Sequence, residues 1–562
     1  MSCNLKTNNL FLVFVFVLFC FSPFTTITGQ PKNDLQTENI TLLTGRTVYC
    51  VTEWIHFSAT PQLSQIDELT SKVIYLELIS PVGKAFLQKK YPFSNNGIND
   101  SIYVPKEIIS GNYYLRVYTK WMRNFGPKTY RYNPVKIINP FKDEILDQTG
   151  NISGFVNNLH EKSNLVVETN REEFLQNETI ELKVSRLPNP DSVKRIALSV
   201  IHSGASDSIL ENLKVSFEKQ STGQLSFLPE TRGISLSGIV LNKADSTPLP
   251  YSQVNLTVIG DSKKYLTTLA DSSGKFYFAL PKIEGMTEVF ITAKSTLKIA
   301  EPIIFVENDF CTQEIELPFI PFEIKNEQFN LTNNLSINAQ ITDNYKDMVD
   351  TIPQSQISYK NPFYGKPTSV VELDDYIAMN NLDDYFKELI TNVKLYKKNG
   401  IKKLKVEGVY SELEIYEPLV MVDFIPIYKI EAVMNISPKM VNKIDVVAKP
   451  YILGNMTYGG IIHVLSKNND FAGVDLPSTG QFFKIQNFEP HVTSEPKIND
   501  EDKIPSTLNC LFWTVLTHWK KEDIINMQFT TGNSLGDYQI VLKYIDINGR
   551  EIITSKKISI KK

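Results

Sequence analysis

Two stretches of the sequence repeat one pattern: residues 46–57 read RTVYCVTEWIHF, and residues 171–182 read REEFLQNETIEL. In each, an arginine is followed by an aromatic residue at +3, a glutamate at +7 and apolar residues at +9 and +11. In this pattern the aromatic residue closes one strand, a turn follows, and the next strand has apolar residues at period two. Such a period is typical of a strand with one face toward a core. We interpret Glu53 and Glu178 as turn residues and not as catalysts. The repeat therefore predicts two similar β-sandwiches.

Short strands surround the first stretch. Residues 73–79 (VIYLELI) form an apolar run, the turn 80–84 (SPVGK) follows, and residues 85–91 can return as the next strand. A further strand is predicted over residues 112–119, behind a Ser-Gly pair. Strands that recur about every ten residues, separated by Gly and Pro turns, indicate a β-sandwich.

The composition is that of an ordinary globular chain. Of 562 residues, 42% are hydrophobic and 21% are charged, and 58 Lys and Arg against 62 Asp and Glu give a net charge of −4. This balance excludes collagen-like and wholly disordered classes and provides no strong field for binding nucleic acid. Six scattered histidines offer little for acid–base chemistry or metal binding. We expect no catalytic residues, no cofactor and no metal site.

The N-terminus predicts export. Lys6 precedes an apolar run over residues 10–21, which is shorter than the ~20 residues that a helix needs to span a bilayer. The pattern is typical of a signal peptide, and we place cleavage after Gly29. An uncleaved anchor helix is the alternative, whereas the bulky Phe19 before Cys20 argues against lipoprotein processing. The mature protein is expected to be soluble or peripheral.

Three cysteines remain after the signal peptide: Cys50, Cys311 and Cys510. An odd number at wide spacing is not a disulfide framework. At most one bridge can form, and we predict none. We expect the three thiols to be buried and to behave as small apolar groups.

One group of motifs lies in residues 30–141. It comprises residues 49–57, the hairpin at 81–84, and the segments 96–98 and 110–116. Together they resemble the macroglobulin domain of the α-macroglobulin family, except that Val51 and Thr52 stand where the family carries Pro-Gly or Ala-Gly. The resemblance implies a macroglobulin-like or immunoglobulin-like sandwich. Large family members trap proteases through a bait region and a thioester, but neither Cys311 nor Cys510 has a Gly-Cys-Gly-Glu-Gln setting.

A second group of motifs starts at Gly233. It comprises residues 238–240, 248–254 (PLPYSQV), the turn at 271–274, and Phe276 and Phe278. The two phenylalanines alternate onto one face after a tight hairpin. This group resembles the carboxypeptidase regulatory-like domain, which implies a small transthyretin-like sandwich that serves as a spacer and has no peptidase activity.

A third group follows a predicted helical stretch at residues 373–390. It comprises residues 418–427 (PLVMVDFIPI), 444–447 (IDVV) and 458–464 (YGGIIHV). These motifs resemble the plug domain of TonB-dependent outer-membrane receptors, in which Gly usually stands at the position of Phe424. A receptor barrel has 22 strands and several hundred residues, whereas about 90 residues follow here. We therefore do not expect this chain alone to transport a substrate.

The predicted fold class is mainly β and multidomain, with macroglobulin-like or immunoglobulin-like and transthyretin-like sandwiches and a small α/β plug-like domain. The predicted boundaries are 1–29 signal peptide, 30–141 and 150–232 macroglobulin-like sandwiches, 233–320 regulatory-like sandwich, 321–370 linker, 371–470 plug-like domain, 471–505 linker and 506–562 C-terminal β segment.

Aromatic and basic residues alternate over residues 113–130 and could form a recognition surface, because such side chains dominate binding hot spots. The alternative is that many of them belong to the sandwich core. Two residues of the plug-like motifs complete the predicted set. The predicted partner-binding residues are Tyr114, Arg116, Trp121, Arg123, Asp423 and Tyr458.

Two further patterns have plain explanations. Residues 532–536 fit the G-x-S-x-G nucleophile motif around Ser534, but no histidine follows His518, so we predict a β-turn. The acidic pairs at 374–375 and 383–384 lie at predicted helix N-termini, where the helix dipole favours them. His463 is read as a strand residue and not as a ligand.

These readings predict a non-catalytic, exported binding or scaffold protein of a Gram-negative envelope, located in the periplasm or at the outer membrane. Its plug-like domain would dock an envelope protein such as an outer-membrane barrel. Peripheral association with the membrane is compatible with this role, and we expect no binding of nucleic acid. The alternative is a macroglobulin-like endopeptidase inhibitor without a thioester, in which residues 321–367 would be the bait.

Overall fold

The computed structural model describes residues 37–62, 70–147, 164–213, 215, 217, 225–260, 264–297, 300–344, 362–491, 509–532 and 535–562. The chain divides into Met1–Thr37 and Glu38–Lys562, and the elements below belong to the second unit. The predicted signal peptide, Ser534 and residues 345–361 of the predicted bait lie outside the described residues. Among the described residues no helix has the length and apolar character needed to cross a membrane.

The first sandwich packs a five-stranded sheet, in the order β2-β8-β7-β4-β5, against a three-stranded sheet, in the order β1-β3-β6. Its strands are β1 (Ile40–Thr44), β2 (Val48–Cys50), β3 (Trp54–Pro61), β4 (Val73–Ile79), β5 (Ala85–Pro92), β6 (Ile98–Tyr103), β7 (Gly111–Tyr118) and β8 (Arg131–Ile138). Strand β2 runs parallel to β8, and the other pairs are antiparallel. Every residue of β4 and β7 is buried, because both strands are central in the larger sheet.

Four strands and a short helix follow: β9 (Val166–Thr169), β10 (Glu173–Leu175), β11 (Thr179–Ser185), β12 (Ile196–His202) and α1 (Ser208–Asn212). They do not form a sandwich by themselves. Among them only β9 and β11 pair with each other.

The next six strands along the chain belong to a third sandwich. They come before the last four strands of the second sandwich. The third sandwich contains β13 (Ser235–Asn242), β14 (Gln253–Val258), β15 (Lys264–Leu269), β16 (Lys275–Ala279), β17 (Met286–Lys294) and β18 (Pro302–Val306). Its sheets have the orders β16-β13-β18 and β15-β14-β17-β28, where β28 (Gln481–Gln486) arrives from further along the chain. At the hairpin predicted after β15, the Asp271 carboxylate accepts hydrogen bonds from the Ser273 and Lys275 amides.

The α/β unit comprises residues 362–474, preceded by the helix α2 (Phe329–Asn344). Its elements are β19 (Ser369–Glu372), α3 (Leu382–Glu388), β20 (Val393–Lys398), β21 (Ile401–Val406), α4 (Glu412–Ile415), β22 (Leu419–Val422), β23 (Ile425–Pro426), α5 (Ile430–Met434), β24 (Val441–Val447), β25 (Tyr451–Leu453), β26 (Met456–Tyr458) and β27 (Ile461–Ser466). The main sheet has the order β19-β24-β27-β22-β23, and β20–β21 and β25–β26 form separate hairpins. Short 3-10 helices lie at Trp121–Phe125, Pro127–Thr129, Ser203–Ala205, Asn326–Gln328, Leu373–Asp375, Pro438–Met440 and Phe471–Gly473.

The last strands complete the second sandwich. Strands β29 (Cys510–Leu516), β30 (Ile525–Thr530), β31 (Gly536–Ile545) and β32 (Glu551–Lys561) join the earlier four in sheets of order β10-β32-β31-β12-β29 and β30-β11-β9. Strand for strand, this is the topology of the first sandwich, including the parallel pair β10–β32. The turn between β4 and β5 in the first sandwich is replaced in the second by residues 203–509, which carry the third sandwich and the α/β unit.

The prediction of a mainly β, multidomain fold is confirmed. The boundaries differ from the predicted ones in three places. Residues 506–562 and 150–232 contribute to one sandwich and not to two units, the 471–505 linker contains β28, and the 321–370 linker contains α2 and the first two residues of β19. A sequence pattern shows only residues that are close along the chain, whereas β12 pairs with β29, which lies some 300 residues later.

Candidate docking surface and interdomain cleft

The repeated sequence pattern forms the same side-chain clasp in both sandwiches. In the first, Glu53 bonds the Arg46 guanidinium and the Cys50 amide, and in the second Glu178 bonds Arg171 and the Leu175 amide. Each arginine also lies over the aromatic residue at +3, with 4.6 Å from Cζ to the ring centroid in the first clasp and 5.4 Å in the second. Both glutamates therefore have structural partners.

Most of the aromatic and basic side chains predicted to form a surface over residues 113–130 lie inside the protein. A strap formed by residues 308–321 runs across strand β7 on the side away from the three-stranded sheet. The Tyr114 hydroxyl donates to the Pro318 carbonyl at 2.5 Å, and the Arg116 Nη2 lies 3.4 Å from the Cys311 carbonyl oxygen. The side chains that looked available to a partner are thus bonded to another part of the same chain.

Two more residues of this set behave differently from each other. Arg123 is buried: its Nη1 donates to the carbonyls of Asn308 and Asp309 at 2.9 and 2.7 Å, and its Cζ lies 3.9 Å from the Phe227 ring centroid. Trp121 is half-buried and packs edge-on against Phe125. Of the four predicted residues in this region, only Trp121 remains partly accessible.

The two predicted residues in the α/β unit are also buried. The Asp423 carboxylate accepts from the Ser466 amide at 3.0 Å, the Ser466 hydroxyl and the Phe471 amide at 2.9 Å. The Tyr458 hydroxyl accepts from Gln253 Nε2 of the third sandwich at 2.9 Å. These residues hold the unit together and fix it to its neighbour, so the prediction that they face a partner is corrected.

The turn that contains Asp423 explains one feature of the motif. Asp423 and Phe424 have φ of 44° and 69°, in the left-handed region that glycine enters without steric cost. Glycine at the second position, as the plug family usually has, would suit this backbone. Phe424 is kept there by burial and by its ring contact with His463, 4.5 Å between centroids.

A buried polar chain around His463 was missed by sequence reasoning. The Phe424 amide donates to His463 Nε2 at 3.1 Å, and His463 Nδ1 lies 2.7 Å from the Tyr364 hydroxyl, which is 2.9 Å from Asp445 Oδ2. Because Nε2 accepts, the proton of a neutral ring is on Nδ1, and the tyrosine in turn donates to the carboxylate. Strand residues 18 positions apart share this chain, which a linear pattern does not show.

Asp207 connects three parts of the fold. Its carboxylate accepts from Lys136 Nζ of β8 at 2.7 Å and from Lys325 Nζ at 2.9 Å, and it caps α1 through the Ile209 amide at 3.0 Å. Burial alone would raise its pKa, but the hydrogen bonds and charges of the two lysines outweigh burial and lower the pKa from 3.8 to about 2.

This lowered pKa predicts acid sensitivity. A carboxylate with a depressed native pKa stabilises the fold above its unfolded pKa, and the contribution is lost as the pH falls from about 4 toward 2. Asp207→Asn should therefore lower the free energy of unfolding at pH 7 by about 2 kcal/mol, and this difference should shrink near pH 2. Denaturant titrations at both pH values measure it. Asp191→Asn, at an exposed site, is the control; an Asp207→Asn deficit independent of pH would contradict the assignment.

The α/β unit carries the most exposed large apolar side chains of the described residues. Val409 is 93% exposed, Ile377 89%, Ile452 73% and Ile415 71%. Two of these belong to residues 407–417, which we name the docking loop.

The docking loop is anchored at its centre and exposed on both sides. Leu413 is buried, and its Cδ1 would lie only 2.9 Å from a Cβ placed on Gly408. Tyr410 and Tyr416 are 48% and 42% exposed beside Val409 and Ile415. The loop also contains four glutamates, and three of them, Glu407, Glu414 and Glu417, pair with lysines of β20 and β21. An anchored loop with exposed aromatic and aliphatic side chains has the character of a protein-binding hot spot.

A cleft of about 860 Å³ lies between the third sandwich and the α/β unit. Hydrogen bonds join the two parts: the Asn255 amide donates to the Tyr428 hydroxyl at 2.6 Å, and the Thr257 hydroxyl donates to the Phe424 carbonyl at 2.8 Å. A preformed cavity of this size is in the range of ligand sites.

Comparison with known proteins gives no family assignment. No family model and no curated protein matches the chain. Among solved structures, it is similar to Escherichia coli alpha-2-macroglobulin activated by porcine elastase (TM-score 0.22, 9% identity, 93% of this chain and 44% of that one). It is also similar to the trypsin-activated Escherichia coli protein (0.22, 8%, 94% and 42%) and to Salmonella alpha-2-macroglobulin reacted with methylamine (0.15, 8%, 93% and 23%). The chain thus spans less than half of these proteins, and at such TM-scores the likeness carries no argument about function.

Proposed function

We propose that the chain is a non-catalytic binding or scaffold protein of a Gram-negative envelope and that the α/β unit docks an envelope protein, such as an outer-membrane barrel, through the docking loop. The envelope assignment depends on the predicted signal peptide and on the motif resemblances in the sequence. The docking role depends on the structure. Its main support is the exposure of Val409 and Ile415 on a loop whose own anchor, Leu413, is buried.

The positions of the side chains that were predicted to bind a partner also favour docking through the loop. Apart from Trp121, the residues predicted over 113–130 and at 423 and 458 are buried and bonded within the chain, so they stabilise the scaffold. The docking loop carries two of the four most exposed large apolar side chains of the described residues, an exposure that has a free-energy cost and that monomeric proteins usually avoid. Burial against a partner would recover that cost.

The docking role predicts site-specific crosslinking. A photoreactive phenylalanine analogue at position 409 or 415, introduced in the native host, should give one and the same protein adduct, because both positions face the bound partner. Position 547 is the matched control, since Ile547 is 62% exposed in the second sandwich. Ile415→Asp should reduce the yield from position 409 about tenfold or more. No adduct, an adduct equally strong at 547, or a cytoplasmic partner would contradict the proposal.

The inhibitor alternative remains a prediction. Within its predicted bait, residues 329–344 are helical and bury Leu331, Leu335 and Ala339, while residues 345–361 lie outside the described residues. Inhibition would require cleavage in that segment with the protease afterwards shielded from large substrates.

A further inference from the structure

We propose that the cleft between the third sandwich and the α/β unit is a second binding site, which accepts an extended peptide chain and presents Tyr251 to it. The site uses other residues than the docking loop, apart from an exposed ion pair between Lys294 and Glu417, so either proposal can fail while the other stands. The first observation is the unusual backbone conformation of Tyr251.

Tyr251 has φ of 55°, a left-handed conformation that is a genuine outlier for a bulky residue. Its side chain is 57% exposed at the mouth of the cleft, so burial of the ring does not compensate the backbone cost. By contrast, Phe424 in the same conformation is 6% exposed. A strained residue whose side chain is not used for packing points to a function for that side chain.

Apolar side chains from three parts of the chain line the cleft. The third sandwich contributes Leu269 and Ala293, the α/β unit contributes Ile427 and Met456, and the returning chain before β28 contributes Leu476. At the mouth, Leu297 is 59% exposed alongside Tyr251. An apolar floor with an aromatic and an aliphatic side chain at the mouth accepts apolar side chains of a ligand.

The polar groups of the cleft decide the ligand class. Lys294 and Lys429 line the cleft together with Glu431 and Asp475, and Lys294 also pairs with Glu417 at 3.9 Å. Charges of both signs disfavour a polyanion or a polycation and suit a chain with alternating donors, acceptors and apolar groups. A peptide has this chemistry. The hydrogen bonds that join the two walls keep the cleft in shape before the ligand arrives, which lowers the cost of binding.

The test uses the full chain and random linear peptides displayed on phage, followed by affinity measurements on a selected synthetic peptide. Tyr251→Gly should weaken binding about tenfold or more, while the midpoint of urea unfolding stays the same or rises, because glycine relieves the backbone. Tyr251→Phe should retain affinity within about threefold, since the ring is kept. Leu297→Ser should also weaken binding.

Ser246→Gly is the matched control. Ser246 also has a left-handed φ, 57°, in the third sandwich but does not line the cleft, so this change relieves backbone without altering the site and should leave affinity unchanged. Failure to select any peptide, selected peptides that bind Tyr251→Gly and Leu297→Ser as well as the parent chain, or specific binding of oligosaccharides in place of peptides on an array would each overturn the proposal.

Discussion

A chain that ends after residue 508 is expected to lose the whole second sandwich, including strands β9 to β12, which remain in the sequence. Strand β10 pairs only with β32 among the described strands, and β12 lies between β31 and β29. Without these partners β12 would expose both edges, and the core would lose aromatic residues such as Tyr538 and Phe529. Amides over residues 164–213 should then exchange at rates close to those of an unfolded chain, measured by hydrogen exchange with mass spectrometry.

A complementary variant tests the same topology from the other side. Residues 203–509 are replaced by the turn 80–84, which joins the equivalent strands of the first sandwich, and residues 164–202 and 510–562 are produced as one chain. Ile201 and Cys510 are direct partners in the β12–β29 ladder, so a short turn can close the gap. This chain should fold with protected amides in both halves. Protection of residues 164–213 in the truncated chain would instead favour a sandwich that needs no C-terminal strands.

Arg116→Met is expected to destabilise the first sandwich by about 3–5 kcal/mol, because it leaves the charge of Glu77 buried without its partner. Both side chains are fully buried, Arg116 Nη2 lies 2.5 Å from Glu77 Oε2, and Gln88 donates to the other carboxylate oxygen at 2.6 Å. Burial would lower the pKa of Arg116, but the Glu77 carboxylate raises it above its ordinary value. Native-state hydrogen exchange at β4 and β7 measures the local free energy of unfolding.

Two further variants define the cause of that loss. Arg116→Met combined with Glu77→Leu should recover most of the stability, because no uncompensated charge remains in the core. Lys243→Met removes an ion pair with Glu301 in which both side chains are largely exposed, 68% and 76%, and should cost less than about 0.5 kcal/mol. If the double variant is as unstable as Arg116→Met, lost packing and not the buried charge is responsible.

The strand patterns and the repeat could be predicted because they are local. The apolar run over residues 73–79 indicates a buried strand, and the alternation at Phe276 and Phe278 indicates which side chains face a core. The equal offsets from Arg46 and Arg171 indicate a common local structure. The candidate site was less predictable. Residues over 113–130 have the composition of a recognition surface, but composition does not reveal that residues 308–321 cover them.

The sequence by itself determined that this protein is mainly β and multidomain, since strand periodicity and turn chemistry are properties of neighbouring residues. Tertiary structure alone decided that the second sandwich closes around an insertion, that Tyr114, Arg116 and Arg123 bind the chain's own strap, and that Val409 and Ile415 of the docking loop are exposed. These outcomes depend on hydrogen bonds and burial between segments far apart in the chain. Such pairings are selected by the free energy of the whole fold, and no local pattern encodes them.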